Sequence, residues 1–489
     1  MRLENAKVEE PKDCERCRKK NTMDIQHNLC VFTDKQFVKF QELPEKVPEG
    51  ETPQSISIVC YDMNVDEMRP GDRVEIVGIY RAQPVRMQRS RRTIRSIFNT
   101  YVDLISSKII KDNRYTNTIG DEKIAFNDDQ RREFFRMAQQ PNIVDELVKS
   151  FAPSIFGNDD VKKGVLCQLF GGCEKRFSQS GRGRFRSDIN ICLVGDPSTA
   201  KSQLLQQVHK IAPRGIYTSG KGSTAVGLTA NVRKDPETNE YILESGALVL
   251  SDKGICCIDE FDKMDDNSRT ILLEAMEQQT ISIAKAGIVC SLNSRTAILA
   301  AANPVNSRYN PKKSVVENIN LPPALLSRFD LIYIMLDKAN EVYDTQLAHH
   351  ILGLYSSNTD RKETMPPFSK TLLTNYITFA RQEYYPQLTE QSCAKLSDAY
   401  VQLRNLNNDK KSITATPRQL ESLIRTSEAL AKMRLSSTVE PEDVEVAINL
   451  MRTAIKQSAT DPRTGLIDMD VIVTGRTAAS RIKVSTTFN

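Results

Sequence analysis

Apolar and polar positions change their spacing several times along this chain, and each change predicts a different kind of structure. Between residues 31 and 110 they alternate in short runs, SISIVCYD, RPGDRVEIVGIYR and TYVDLIS, punctuated by glycine and proline. Period-two alternation bounded by turn residues predicts half-buried strands, hence a small β-domain. From 124 to 152 the period lengthens, with Phe134, Phe135 and Met137 followed by Val144, Leu147, Val148 and Phe151, as on charged helices that connect two domains. Residues 153 to 350 alternate continuous apolar runs with helical patterns, which predicts a parallel sheet covered on both faces. From 366 to 458 only helical spacing remains. One helix opens with Thr416, Pro417, Arg418 and Gln419, a capping-box pattern with proline in the first turn, and presents Leu420, Leu423, Ile424 and Leu430 on one face. Another starts near Pro441 and runs through Val444, Ile448, Met451 and Ile455. The expected order is a β-domain (1–110), a helical connector (111–152), an α/β nucleotide domain (153–355), a helical lid (356–460) and a polar tail (461–489).

Within the α/β region, GDPSTAKSQLL at 195–205 is almost a phosphate-binding loop. Ile189, Ile191, Leu193 and Val194 lead in, and Leu204, Leu205, Val208 and Ile211 lead out at helical spacing. That is the strand, turn and helix a phosphate cradle requires. Ala200 stands where the usual pattern has a second glycine, and it fits if its backbone is already helical rather than at positive φ. The expected cradle is Gly195, Asp196, Pro197, Ser198, Thr199, Ala200, Lys201, Ser202 and Gln203, with Lys201 reaching β- and γ-phosphates of ATP and Ser202 holding Mg²⁺.

Hydrolysis needs more than a cradle. Ile255, Cys256, Cys257 and Ile258 deliver Asp259 and Glu260 to the end of a second strand, beside the first strand's loop if the two strands are neighbours. Asp259 suits Mg²⁺ and Glu260 suits polarising the attacking water. A third strand, Ala297 to Ala302, ends in Asn303 and Pro304, where the amide can orient that water or the pair simply makes a turn. Arg328, just before LIYIML, either pairs with a local acid or projects towards a neighbour's γ-phosphate as an arginine finger.

Composition narrows the class. With 39% hydrophobic and 26% charged residues, and no apolar run near the ~20 needed to cross a bilayer, the pattern is that of a globular, non-membrane protein. Eleven scattered cysteines, odd in number, argue against a disulfide framework and for a reducing compartment. The amino-terminal MRLENAKVEE lacks the features of a signal peptide. A net charge of +5 is mild at this length, so only local clusters argue for nucleic acid. Such a cluster lies in RAQPVRMQRSRRTIR, with Arg81, Arg86, Arg89, Arg91, Arg92 and Arg95, which suits phosphate contact or a solvated face. Lys285 stands among small residues in TISIAKAGIVCSLN, as at a hairpin tip, where a solvated lysine is the plain reading.

GDPSTAKS, CIDEFDKM, LLSRFD and TPRQLESLIR, in this order, resemble the AAA+ core of the minichromosome maintenance (MCM) replicative helicases, a family whose phosphate loop carries Ala or Ser before the lysine. The likeness runs from about 31 to about 475, and YTSGKGSTAVGLTANVRKDPET with KQSATDPRTG is similar to the subunit-four type of the eukaryotic heterohexamer. It implies an oligonucleotide-binding (OB) fold for the β-domain, and an ATP-dependent DNA helicase working on single- and double-stranded DNA with other MCM subunits in a ring. Gly195, Lys201, Ser202, Asp259, Glu260 and Asn303 match positions that act on a subunit's own nucleotide; Arg328 and Arg418 match those that act on a neighbour's. Lys285 matches the pore hairpin, 223–248 the helix-2 insert, Arg86, Arg89, Arg91 and Arg92 the amino-terminal DNA-binding hairpin, and QELPEKVPEGETP the loop relaying ATPase state. Nuclear residence and replication loading and activation factors follow from the same likeness.

The chain departs from the family where a zinc module of paired C-x-x-C motifs is usual. Cys14 and Cys17 make half a site, and Cys14, Cys17, His27 and Cys30 have no familiar zinc spacing. The missing pair would precede Met1 and a winged-helix domain would follow 489, so a fragment, an incomplete gene model or a shortened family member is expected. An AAA+ remodeller of protein and a ring subunit that binds ATP without turning it over are the rival functions.

Overall fold

In the computed structural model the described residues are 3–4, 7–8, 16–17, 26–42, 54–68, 74–88, 91–109, 126–175, 186–212, 214–234, 241–285, 288–305, 308, 310, 318–319, 321–337, 340–355, 367–405 and 416–458. The chain divides into two compact units, 1–115 with 233–242 and 116–232 with 243–489. The loop at 43–53 and the tail at 461–489 lie outside the described residues.

The first unit is β. Strands β1 (Leu3–Glu4) and β2 (Lys7–Val8) pair with each other, and β3 (Lys35–Gln41), β4 (Ser55–Tyr61), β5 (Val74–Gln88) and β6 (Arg91–Ile109) form a sheet of order β3-β4-β6-β5. Alternation makes the sheet one-sided. Every second residue of β3 is exposed, while Ile58, Cys60, Met68 and Leu104 form a core against which Val38, Phe40, Ile76 and Val102 pack.

The later strands are β7 (Ile191–Gly195), β8 (Gly215–Ser219), β9 (Ala230–Lys234), β10 (Tyr241–Ser245), β11 (Ile255–Asp259), β12 (Thr280–Lys285), β13 (Ile288–Asn293), β14 (Ala297–Ala302) and β15 (Leu331–Met335), all in the second unit except the parts of β9 and β10 within 233–242. Five of these form a parallel sheet of order β15-β7-β14-β11-β8. β7, β14 and β15 are buried at every residue, as continuous apolar runs between two helical layers should be. The flanking helices are α1 (Asp128–Ala138), α2 (Ile143–Phe151), α3 (Asp159–Phe170), α4 (Lys201–Ile211), α5 (Ala225–Leu228), α6 (Ala247–Leu250), α7 (Asp266–Gln278), α8 (Pro323–Leu326) and α9 (Glu341–Tyr355). The lid adds α10 (Lys370–Glu383), α11 (Glu390–Asn405), α12 (Pro417–Met433) and α13 (Pro441–Ser458).

Three expectations change here. The described part of the supposed connector, 126–152, belongs to the core, because Phe134 of α1 meets Tyr376 of α10 edge-on with ring centroids 5.9 Å apart, and Phe126 lies 5.5 Å from Phe379. The lid is not wholly helical: β16 (Gln387–Leu388) and β17 (Thr438–Val439) pair in parallel. Pro417 does occupy the first turn of α12, but the Thr416 side chain makes no cap hydrogen bond, and its carbonyl receives Gln419 N at 3.0 Å.

The lid meets the sheet through a buried carboxylate. Asp330, one residue before β15, accepts from both Arg186 Nη2 (2.8 and 3.0 Å), Arg425 Nη2 of α12 (2.6 Å) and the Asn190 N–H (2.9 Å). Burial alone pushes the Asp330 carboxyl up, but Arg186, Arg425 and the Asn190 N–H outweigh it and hold it below the usual range. Around it, the Asn190 amide oxygen accepts from Ile298 N, and Gln168 donates to the Ile189 and Ile298 carbonyls, each at 2.9 Å. The amino ends of β7, β14 and β15 are thereby fixed together.

Replacing Asp330 with Asn is expected to destabilise the second unit by about 3 kcal/mol, since the buried Arg425 and the partly buried Arg186 lose their counter-charge. Folding depresses this pKa, so the stabilisation is complete above the unfolded value of about 3.9 and is lost as pH falls through the lower folded value. Denaturant titrations of both proteins, at pH 7 and below pH 4, should show the gap between them narrowing in acid.

Candidate active site

The cradle begins where β7 ends. A Cβ on Gly195 would lie 2.1 Å from the Met335 carbonyl oxygen, so only glycine lets β15 pass. Asp196 N donates to that carbonyl at 3.2 Å. The turn that follows has positive φ at Ser198 (69°) and Ala200 (61°), and α4 starts at the next residue. Ala200 is therefore left-handed, not helical as the sequence suggested. Here alanine occupies the conformation for which the usual pattern supplies glycine, at a cost of about 1–2 kcal/mol. Surrounding bonds impose it: Thr199 Oγ1 donates to Asp196 O at 2.8 Å, and Leu204 N to Ala200 O at 3.0 Å.

Lys201 is buried inside the loop, its ammonium donating to Gly195 O (2.8 Å), Asp196 O (2.5 Å) and Thr199 Oγ1 (3.3 Å). Burial lowers its pKa, while Asp196, Asp259 and Asp262 act the other way. Pro197 and Ser198 are exposed in the turn, and Ser202 and Gln203 in the first turn of α4, whose unpaired backbone N–H groups favour an anion.

β7 and β11 are not neighbours: β14 lies between them, so Asn303, directly after β14, stands at the strand end between the lysine loop and Asp259–Glu260, and Asp259 and Asp262 still act on the Lys201 ammonium from there. Asp259 accepts from the Tyr217 hydroxyl at 2.9 Å and from Glu260 N at 2.8 Å. Burial and the Asp259 carboxylate push the Tyr217 phenol up to about 12, which keeps it a donor. Glu260 is left-handed (φ 49°), and a Cβ on Gly220 would come within 2.4 Å of its carbonyl oxygen. Asn303 N donates to Asp262 Oδ1 at 3.1 Å, which fixes the backbone between the two halves. An ammonium, two carboxylates and an amide at adjacent strand ends can hold a phosphate chain with a divalent cation and orient a water.

Arg328 and Arg418 lie elsewhere. In the parallel pair β15–β7, Leu331 faces Ile191 and Met335 faces Gly195, four steps of about 3.3 Å or roughly 13 Å apart. Arg328 precedes Leu331, at the amino end of the sheet, whereas the lysine loop is at the carboxyl end. Both arginines converge on Glu277, a residue the sequence reading passed over. Arg328 Nε donates to Glu277 Oε2 at 3.0 Å with its Nη2 on the same oxygen, and Arg418 Nη2 donates to Oε1 at 2.9 Å. Bonding to Arg328, against some burial, and the charges of Arg328, Arg418 and Arg186 hold the Glu277 carboxyl below its usual range. Its signal in the sequence was an acid in the last turn of α7, where the helix dipole disfavours negative charge unless a cation answers it. Arg186, Arg295, Arg328, Arg418, Glu277 and Thr280 line a cleft of about 550 Å³.

The other candidates are placed less fully. Lys285 faces Ile288 at the end of the β12–β13 hairpin. The described residues of the insert at 223–248 form α5, the paired strands β9 and β10, and the start of α6. Arg86 faces Ile94, and Arg91 faces Gln88, on the β5–β6 hairpin; Arg92 and Arg95 follow on β6, and Arg89 lies outside the described residues. Arg81 is paired with Asp103 at 2.6 Å. Cys14 lies outside the described residues, Cys17 and Cys30 are exposed, and among the described residues no group of three or more His, Cys, Asp or Glu could hold a metal.

Comparison with known proteins gives three domain matches, the MCM OB domain over residues 1–84, the MCM P-loop domain over 130–355 and the MCM AAA-lid domain over 371–455. DNA replication licensing factor MCM4 of Arabidopsis thaliana is 52% identical over 500 residues, covering 99% of this chain and 59% of the relative. The protein of the same name from Schizosaccharomyces pombe is 50% identical over 494 residues, covering 96% and 54%. Minichromosome maintenance protein MCM of Saccharolobus solfataricus is 42% identical over 482 residues, covering 98% and 67%. The chain thus spans a little over half the length of these eukaryotic relatives.

The left-handed alanine makes its own test. Ala200→Gly should raise the stability of the second unit by about 1 kcal/mol, because glycine adopts this φ without a Cβ clash. A denaturant melt showing no gain, or a loss, would mean the turn is not strained at this residue.

Proposed function

Since the chain belongs to the minichromosome maintenance family, we propose that it is an ATP-driven DNA helicase subunit whose active sites are shared between neighbours in a ring. The supporting observation is the division of the sheet: Lys201, Asn303, Asp259 and Glu260 at its carboxyl end, Arg328 and Arg418 at the other. A chain so divided completes a site only head to tail with another copy or a homologue, and a head-to-tail contact that closes makes a ring.

The residues fit Mg²⁺ and ATP, because a left-handed turn leads into the exposed first turn of α4, a lysine is buried within the loop and a carboxylate stands at a nearby strand end. Lys201 would meet the phosphates, and Ser202 and Asp259 would hold the metal; the bound pair supplies the phosphoryl group and its neutralising charge. Glu260 would polarise the attacking water and Asn303 orient it. Arg328 and Arg418 would stabilise the charge that develops on the nucleotide of the next subunit. Lys285 and Arg86, Arg89, Arg91 and Arg92 would contact DNA phosphates, giving binding that is indifferent to sequence and weakens steeply with salt. The partners are single- and double-stranded DNA, other MCM subunits, and replication loading and activation factors in the nucleus, as the relatives' name of replication licensing factor suggests. Among the described residues no helix is long and apolar enough to cross a membrane.

Steady-state ATPase of this chain alone, and mixed with each subunit that flanks it, tests the proposal. Activity should appear on mixing. Glu260→Gln should then silence the site holding this chain's nucleotide, and Arg328→Ala should slow the other site about 10³-fold. Hydrolysis by the lone monomer that Arg328→Ala leaves intact would refute the shared site, and binding without turnover in every mixture would favour a structural subunit.

A further inference from the structure

The two arginines come from different bodies, Arg328 from the sheet's amino edge and Arg418 from the first turn of lid helix α12, yet they meet on the two oxygens of one carboxylate. Long arginine side chains on a surface sample many rotamers and repel each other, so convergence requires a group that answers both. Glu277 does so, taking the Nε side of the Arg328 fork on one oxygen and a terminal nitrogen of Arg418 on the other. A second bond, from Arg328 Nη1 to Ala324 O at 2.9 Å, fixes the opposite side of that fork.

The backbone beneath is equally held. Arg186 donates to the Met276 carbonyl at 3.2 Å, one residue before Glu277, and to Asp330, two residues after Arg328. Arg425, seven residues after Arg418 on the same helix, donates to the same Asp330. Carboxylates above and below thus close two loops of contacts through α7, β15 and α12, and the arginines have one relative position.

We propose that Glu277 is a positioning residue, whose carboxylate presents Arg328 and Arg418 as a preformed pair to the anionic phosphate held by the adjacent subunit. This rests on the shared-site reading. Pre-ordering the pair lowers the entropy that must be lost as charge develops on the transferred phosphoryl group, so its effect belongs in kcat rather than in ATP binding. The same guanidinium groups hold the Glu277 carboxyl below its usual range.

The test is the ATPase of the mixture in which this chain supplies the arginines, with Glu277→Gln, Glu277→Ala and Arg328→Ala compared. Glu277→Gln should lower kcat about tenfold with KM within about twofold, and Glu277→Ala should lower it further. The site that uses this chain's own Lys201 should be unaffected in the opposite mixture, which a general folding defect would not spare. Unchanged or faster turnover by Glu277→Gln, or a change confined to KM, overturns the proposal and leaves the shared site standing. If Arg328→Ala is itself silent, the shared site falls and this proposal with it.

Discussion

Asp330 is a carboxylate almost wholly out of water, and the arrangement of the second unit depends on its being paired. Left alone it would be protonated or would unfold its surroundings, because an uncompensated buried charge costs several kcal/mol. Its partners come from separate parts of the chain: Arg186 and Asn190 ahead of β7, the latter directly before it, and Arg425 on the lid. Satisfying one charge therefore fixes three segments in one register. Arg328 and Arg418 follow from it, since one stands two residues from Asp330 and the other two helical turns from Arg425.

The parallel sheet turns this local constraint into a directional one. Parallel strands send all their following loops to one edge and all their preceding residues to the other. The phosphate-type loop, Asn303 and the Asp259–Glu260 pair share the carboxyl edge, while the Asp330 cluster holds the amino edge together. A subunit with chemistry at both edges and no means of joining them within itself has a front and a back. On the proposed function, that polarity is what makes hydrolysis a property of the assembly.

Much of this was legible in the sequence, and the exceptions have physical causes. Continuous apolar runs gave the buried strands, and helical spacing after Lys201 gave α4, because both follow from local periodicity. Strand order did not follow, since β14 enters between β7 and β11 from more than a hundred residues downstream of β7. The backbone of Ala200 was misjudged because local propensity favours helix there, whereas the loop's own hydrogen bonds and the passage of β15 beside Gly195 set the turn. Arg328 was readable as finger or ion pair, and it is ion-paired here; only the fold could show that its acid, Glu277, also holds Arg418. The helices at 128–151 looked like a connector because their charged faces are conspicuous, while their aromatic contacts with α10 are long-range.

The most direct measurement is additivity between the two edges. Lys201→Ala, Arg328→Ala and the double variant would each be assembled with both flanking subunits and their ATP hydrolysis compared. If one chain serves two nucleotides, the double variant loses the sum of the two single losses. A double variant no slower than the worse single variant would put Lys201 and Arg328 on the same nucleotide and contradict the shared site.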